Sequence, residues 1–150
     1  MIIWIHKTKK ASQILINKLK DFEDFKLVAY QGLVGIWAIG IGHTKGVKQG
    51  QKITLQQSES LCKGDLLEVE TYFNSLKIPF KQGQFDALAD FAFNLGTEAL
   101  AVSTLLKKVR INVNDKTIPD EFVKWVHAKG KVLSGLVKRR NWEAMKWQEQ

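Results

Sequence analysis

Between Leu27 and Gly42, glycines at positions 32, 35, 40 and 42 punctuate a run of Val, Ile, Trp and Tyr. Ile36, Ala38 and Gly40 alternate there with Trp37, Ile39 and Ile41 at period two. Alternation of this kind belongs to strands, and glycines permit sharp reversals, so the segment predicts a small, tightly turned sheet. The flanking sequence is helical in period. Ala11, Leu15, Leu19 and Phe22 recur at steps of four and three, which predicts an amphipathic helix over Ala11–Phe22 that brings Glu23 to its C-terminal end.

After the sheet, Thr54-Leu55-Gln56-Gln57 forms a capping-box pattern and opens a helix expected to run to about Asn74. Its inner line reads Ser58, Cys62, Asp65, Val69 and Phe73 or Tyr72, so Asp65 falls among apolar positions and needs a partner. Gln84–Leu95, with Phe85, Leu88, Ala89 and Ala92, predicts a buried central helix closed by Gly96. Shorter helices are expected near Ser103–Val109 and from about Thr117 with Pro119 in its first turn, and a last one over about Leu136–Trp147. The plan is α+β, mainly α: a small sheet lobe at about 24–52, a joining helix at about 54–74, and a helical lobe at about 78–150. All of it forms one domain over 1–150, with a cleft between the lobes where ligands usually bind.

Composition removes several function classes. At 150 residues and 17.1 kDa, with 45% hydrophobic and 25% charged residues, the chain suits one globular domain and excludes a disordered tail or a collagenous repeat. A single cysteine excludes an internal disulfide framework. Met1–Ile5 is apolar but is cut short by His6 and Lys7, so it reads as neither signal sequence nor membrane span, and synthesis and folding in a cytoplasm are expected. The net charge of +8 favours polyanions such as nucleic acid, anionic lipid or an acidic wall without choosing among them. The basic residues are spread from Lys7 to Lys146. Their densest run, Lys138-Arg139-Arg140, reads either as a solvated helix face or as a polyanion site.

His6, His43, His127 and Cys62 are too scattered for a zinc site, so no metal is expected, and no cofactor is expected either. Phosphate-cradling and nucleophile-elbow motifs are missing, and Gly40-Ile41-Gly42 alone is weak evidence of anything. Glu23 is the best single candidate for chemistry. A carboxylic acid at a helix C-terminus beside Phe22 and Phe25 meets the negative end of the dipole and loses water, and both effects favour the proton-donating form that a general acid needs. The alternative is an exposed glutamate in a charged turn beside Asp21 and Asp24.

Phe22-Glu23-Asp24-Phe25, Ala29-Tyr30, Val34-Gly35-Ile36-Trp37-Ala38-Ile39-Gly40-Ile41-Gly42-His43-Thr44 and Gly50-Gln51-Lys52-Ile53-Thr54 resemble, in order and spacing, the phage-type lysozymes, the endolysin muramidases of glycoside hydrolase family 24. The likeness continues through Asp65, Phe85-Asp86-Ala87-Leu88, Phe91-Ala92-Phe93-Asn94-Leu95-Gly96 and Ser103-Thr104-Leu105-Leu106. Glu121-Phe122, Trp125, Gly130-Lys131-Val132-Leu133 and Gly135-Leu136-Val137-Lys138-Arg139-Arg140 complete it, so that it covers nearly all of residues 11–147. The resemblance implies a lysozyme-like fold and an inverting hydrolase of the β-1,4 bond between N-acetylmuramic acid and N-acetylglucosamine in peptidoglycan.

The family's catalytic set is a Glu, an Asp nine residues on and a Thr six further. Glu23 matches the first, but the other two positions hold Gly32 and Ala38. An inverting glycosidase needs a second polar group to activate water opposite the acid, a contribution of about 10²–10⁴-fold, or roughly 3–5 kcal/mol of barrier. Glycine and alanine offer no side-chain acceptor, so severe impairment is expected unless Gln31 or the backbone near Gly32 holds a water. The resemblance also implies a structural pair, His43 with Asp65, and leaves Asn94 either capping backbone or facing glycan. Trp37, Trp125, Trp142 and Trp147 are expected in the core or in helix packing, and Cys62 as an inert buried thiol.

Three functions follow as alternatives: a slow peptidoglycan lysozyme, a lysozyme-fold protein that binds peptidoglycan or another partner without turnover, and a basic polyanion binder. The expected partner is the peptidoglycan glycan strand rather than nucleic acid. The expected state is a monomer without a membrane span, reaching the wall through a lesion such as a phage holin makes.

Overall fold

The first predicted helix forms as α1, Gln13–Phe22, in the computed structural model, which describes residues 7–32 and 34–149. Its inward residues Leu15, Ile16 and Leu19 are buried, as the step of four and three requires. The apolar run Met1–Ile5 lies outside the described residues. By contacts the chain divides into two units, Gln13–Glu68 and a second made of Met1–Ser12 with Val69–Gln150. The architecture is α+β and mainly α, and no described helix is long and apolar enough to cross a membrane.

In the first unit α1 is followed by a hairpin of β1, Lys26–Gln31, and β2, Trp37–Gly40, paired antiparallel with Tyr30 opposite Ala38 and Gln31 opposite Trp37. Backbone bonds from Ala29 to Gln51 and from Ile53 to Leu27, with a bridge between Val28 and Lys52, lay the chain before the next helix along the outer side of β1. Between β2 and that stretch, Gly40 and Gly42 both take positive φ, and His43 returns to pair with Ile39. Helix α2, Leu55–Ser75, starts as its sequence predicts: the Thr54 hydroxyl accepts from the Gln57 amide, and the Gln57 side chain accepts from the Thr54 amide. Ser58, Cys62 and Leu66 of α2 are buried together with Ile39 and Ile41. The approach at Gly40 is close, since a Cβ there would stand 3.1 Å from the Ser58 Cβ.

The second unit takes the last turns of α2 and is helical. Helix α3, Gln82–Leu95, is buried without interruption from Gln84 to Ala92 and ends at Gly96 with φ 92°. Around it stand α4, Thr97–Ala101, α5, Thr104–Ile111, α6, Ile118–Phe122, and α7, Ser134–Trp147. Phe73, Phe80 and Phe85 meet edge to face, with Trp147 against Phe80, while Phe91 packs on Phe122 and Trp125. Trp147 is buried and Trp37, Trp125 and Trp142 are half-buried.

Three elements went unread in the sequence. Helix α4 has only five residues, and β3, His127–Ala128, with β4, Lys131–Val132, is a hairpin of two-residue strands too short to show alternation. Its turn, Lys129-Gly130, has both residues at positive φ. That is Asn-Gly geometry with a lysine in the first place.

The basic run Lys138-Arg139-Arg140 corrects the expectation of a solvated face or a polyanion site, since only Lys138 is exposed. Arg139 grips Asp90 of α3 with two bonds of 3.0 Å. Arg140 donates to Glu143 at 2.7 Å and lies with its guanidinium carbon 5.0 Å from the Phe91 ring centre. Burial, together with the neighbouring Asp90, pushes the Glu143 carboxyl well above the usual range. These arginines tie α7 to α3 from within.

Candidate active site

The end of α1 sets the site. The Glu23 amide donates to the Leu19 carbonyl at 2.9 Å and continues the last turn, which leaves Glu23 half-buried just beyond Phe22. Its carboxylate rests on Gly42. A Cβ at Gly42 would meet Glu23 Oε2 at 3.2 Å and Cδ at 3.3 Å, and the residue's φ of +66° is one that side chains rarely adopt. The Gly-Ile-Gly run thus has a use that its sequence alone did not reveal. It reverses the chain and makes a bare backbone seat for the one acid expected to act.

Carboxylate charges act together on Cys62. The buried Cys62 thiol is pushed up to about 12 by burial, and then by Asp65, Glu23 and Glu59, with Lys20 opposing them. Lys20 is engaged with Glu59 at 2.6 Å.

The hairpin carries the two altered positions. Gly32 lies just past β1, exposed, bonded through its amide to the Ile36 carbonyl at 3.0 Å. Its backbone is outside the left-handed region, and among the described residues an added Cβ would meet only Ile36 O, at 3.8 Å. A Cβ fits there without strain. Ala38 on β2 is 7% exposed, opposite Tyr30. Gln31, considered as a holder of water, spends its amide donor on the Gly35 carbonyl at 3.1 Å.

His43 and Asp65 meet as the sequence required for Asp65. His43 Nδ1 lies 3.0 and 2.8 Å from the two Asp65 oxygens, and Nε2 is 2.9 Å from the Lys45 carbonyl. The pair joins the turn after β2 to the middle of α2. Glu23, Gly32, Ala38, His43 and Asp65 all belong to the unit Gln13–Glu68. Asn94 does not. It occupies the last turn of α3 in the other unit, with its Oδ1 buried and unbonded among the described residues. That unit also has a depression of about 340 Å³ lined by Gln84, Asn114, Asp115, Trp147 and others, which includes neither Asn94 nor any candidate catalytic residue. Among the described residues no three His, Cys, Asp or Glu side chains gather as metal ligands do.

One residue of the site went unremarked in the sequence except as part of a motif. Tyr30 faces Ala38 across the ladder, with Lys26 Nζ 4.6 Å from its ring centre. Burial, then the charges of Asp24 and Glu23, lift its phenol above the ordinary range. The signal that could have found it is its spacing, two residues before Gly32 and on the strand that must pair with Ala38.

A helix that ends at a glutamate and leads into a small hairpin suits a lysozyme-type protein, and comparison with known proteins gives the family. The phage lysozyme family model matches residues 20–143, and the chain belongs to that family. The endolysin of Acyrthosiphon pisum secondary endosymbiont phage 1 is 40% identical over 131 residues, 83% of this chain and 88% of that protein. The endolysin of Salmonella phage P22 is 39% identical over 134 residues, covering 85% and 90%. Among solved structures, the muramidase domain of SpmX from Asticaccaulis excentricus superposes with a TM-score of 0.84 at 32% identity, over 94% of this chain and 99% of that one.

Proposed function

We infer that the chain acts on bacterial peptidoglycan as a phage-type lysozyme, that Glu23 is its general acid in cleavage of the MurNAc–GlcNAc β-1,4 bond, and that its turnover is severely reduced. The observation that carries the reading is the contrast within one hairpin unit. The acid keeps its seat on Gly42, whereas the base and hydroxyl positions are Gly32 and Ala38. Protonation of the leaving oxygen survives in this arrangement, and activation of the attacking water is lost. His43 and Asp65 serve as a structural pair, and Asn94 as a glycan contact. The protein acts as a monomer and reaches the wall through a membrane lesion of the kind a holin makes.

Muropeptide release from purified peptidoglycan, read by mass, tests this. The parent is expected to be slow, Glu23→Gln silent, and Gly32→Asp with Ala38→Thr fast. Retention on insoluble peptidoglycan without new reducing ends, even in the restored variant, would favour a binding protein instead.

A further inference from the structure

We propose that Tyr30 is the residue that holds the attacking water in this chain, doing with a phenol hydroxyl part of what the missing side chains at Gly32 and Ala38 would do. The inference rests on the reading of the chain as a Glu23-dependent lysozyme. Its ground is the register of the hairpin. Directly opposed residues of an antiparallel pair present their side chains on the same face, with Cβ atoms about 4.5–5.5 Å apart, and so do residues two apart on one strand. Tyr30 is opposite Ala38 and two residues before Gly32, so its ring stands on the face from which both side chains have been removed. Alanine and glycine there leave room beside the ring, and the larger neighbour on that face, Ile36, is exposed at the hairpin end.

The phenol also lies within the electrostatic reach of Glu23, and its burial together with the Asp24 and Glu23 charges keeps it a neutral hydroxyl at the pH of a cell wall. A neutral hydroxyl accepts one hydrogen bond and donates another, which suits holding a water and not deprotonating it. Gln31 is turned to Gly35, and Asp24 is exposed on the turn. In the step itself Glu23 gives its proton to the glycosidic oxygen as the C1–O bond breaks. Water held by Tyr30 adds to C1, and the surplus proton of that water returns through solvent to the Glu23 carboxylate. The phenol stays protonated throughout, so the rate gained is that of orientation alone.

The experiment places Tyr30→Phe, which removes only the hydroxyl, in two backgrounds: the parent and the variant carrying Gly32→Asp with Ala38→Thr. Muropeptide release is resolved into kcat and KM, with thermal midpoints measured alongside. The expected result is a loss of about tenfold or more in the parent's residual kcat at unchanged KM, and a loss of less than about threefold in the restored background, where aspartate and threonine hold the water. No loss in the parent, or the same loss in both backgrounds, overturns the proposal, the latter marking a merely structural hydroxyl. A silent parent beside an active restored variant overturns it while leaving the lysozyme reading intact. Silence in both defeats the reading on which it rests.

Discussion

At the scale of single residues, the site turns on what glycine does in three places. At Gly42 it gives way to the Glu23 carboxylate, and at Gly40 to Ser58; at Gly32 an added Cβ would come no nearer than 3.8 Å to a described residue. Replacing Gly42 with alanine should therefore act twice. The left-handed backbone costs about 1–2 kcal/mol, seen as a lower thermal midpoint. Displacement of the carboxylate should further cut muropeptide release in the restored background by roughly tenfold or more, because misplacement near 1 Å is expensive in oriented catalysis. An unchanged rate would separate Gly42 from the acid. Cys62 gives a second check at this scale. With its thiol pushed up to about 12, it should react with a disulfide reagent at pH 8 only as the protein unfolds, and rapid labelling of the native protein would contradict the burial described.

At the scale of elements, what could be read from the sequence was what local chemistry determines. The period of α1, the capping box of α2, the Ser103 cap of α5, whose hydroxyl accepts from the Leu106 amide, and the glycine stop of α3 each rest on neighbours in the chain. What stayed hidden depended on distant partners. The burial of Arg139 and Arg140 requires Asp90 and Phe91, some fifty residues away, and the seat of Glu23 requires a turn nineteen residues on. The clip between α5 and α6 is of the same kind. Glu121 is buried and accepts from Lys108 at 2.7 Å and Lys124 at 2.9 Å, and these two bonds hold its carboxyl below the usual range. A depressed carboxyl stabilises the fold above its unfolded pKa and loses that contribution as pH falls through the lower folded value. Glu121→Gln should therefore cost about 1–3 kcal/mol at neutral pH, and the gap to the parent in thermal midpoint should close as pH falls well below about 4. A gap that is constant with pH would mean that packing rather than charge is at work.

At the scale of the whole molecule, the charge is divided unevenly. Sixteen of the 23 Lys and Arg but nine of the 15 Asp and Glu fall in Met1–Ser12 and Val69–Gln150, so that part carries +7 and Gln13–Glu68 only +1. The basic excess thus belongs to the unit that does not carry Glu23, as an aid to holding an anionic wall would. Retention on purified walls should weaken several-fold between about 50 mM and 200 mM salt, while catalysis by the restored variant at saturating substrate should not. A flat retention curve would remove electrostatics from the account.

We propose that this lysozyme scaffold has kept its acid and lost its base. The most direct measurement of this is the rate of muropeptide release by the Gly32→Asp, Ala38→Thr variant against the parent. The expected gain is about 10²–10⁴-fold, abolished by Glu23→Gln in either background. A restored variant no faster than the parent, or release that persists without Glu23, would contradict it.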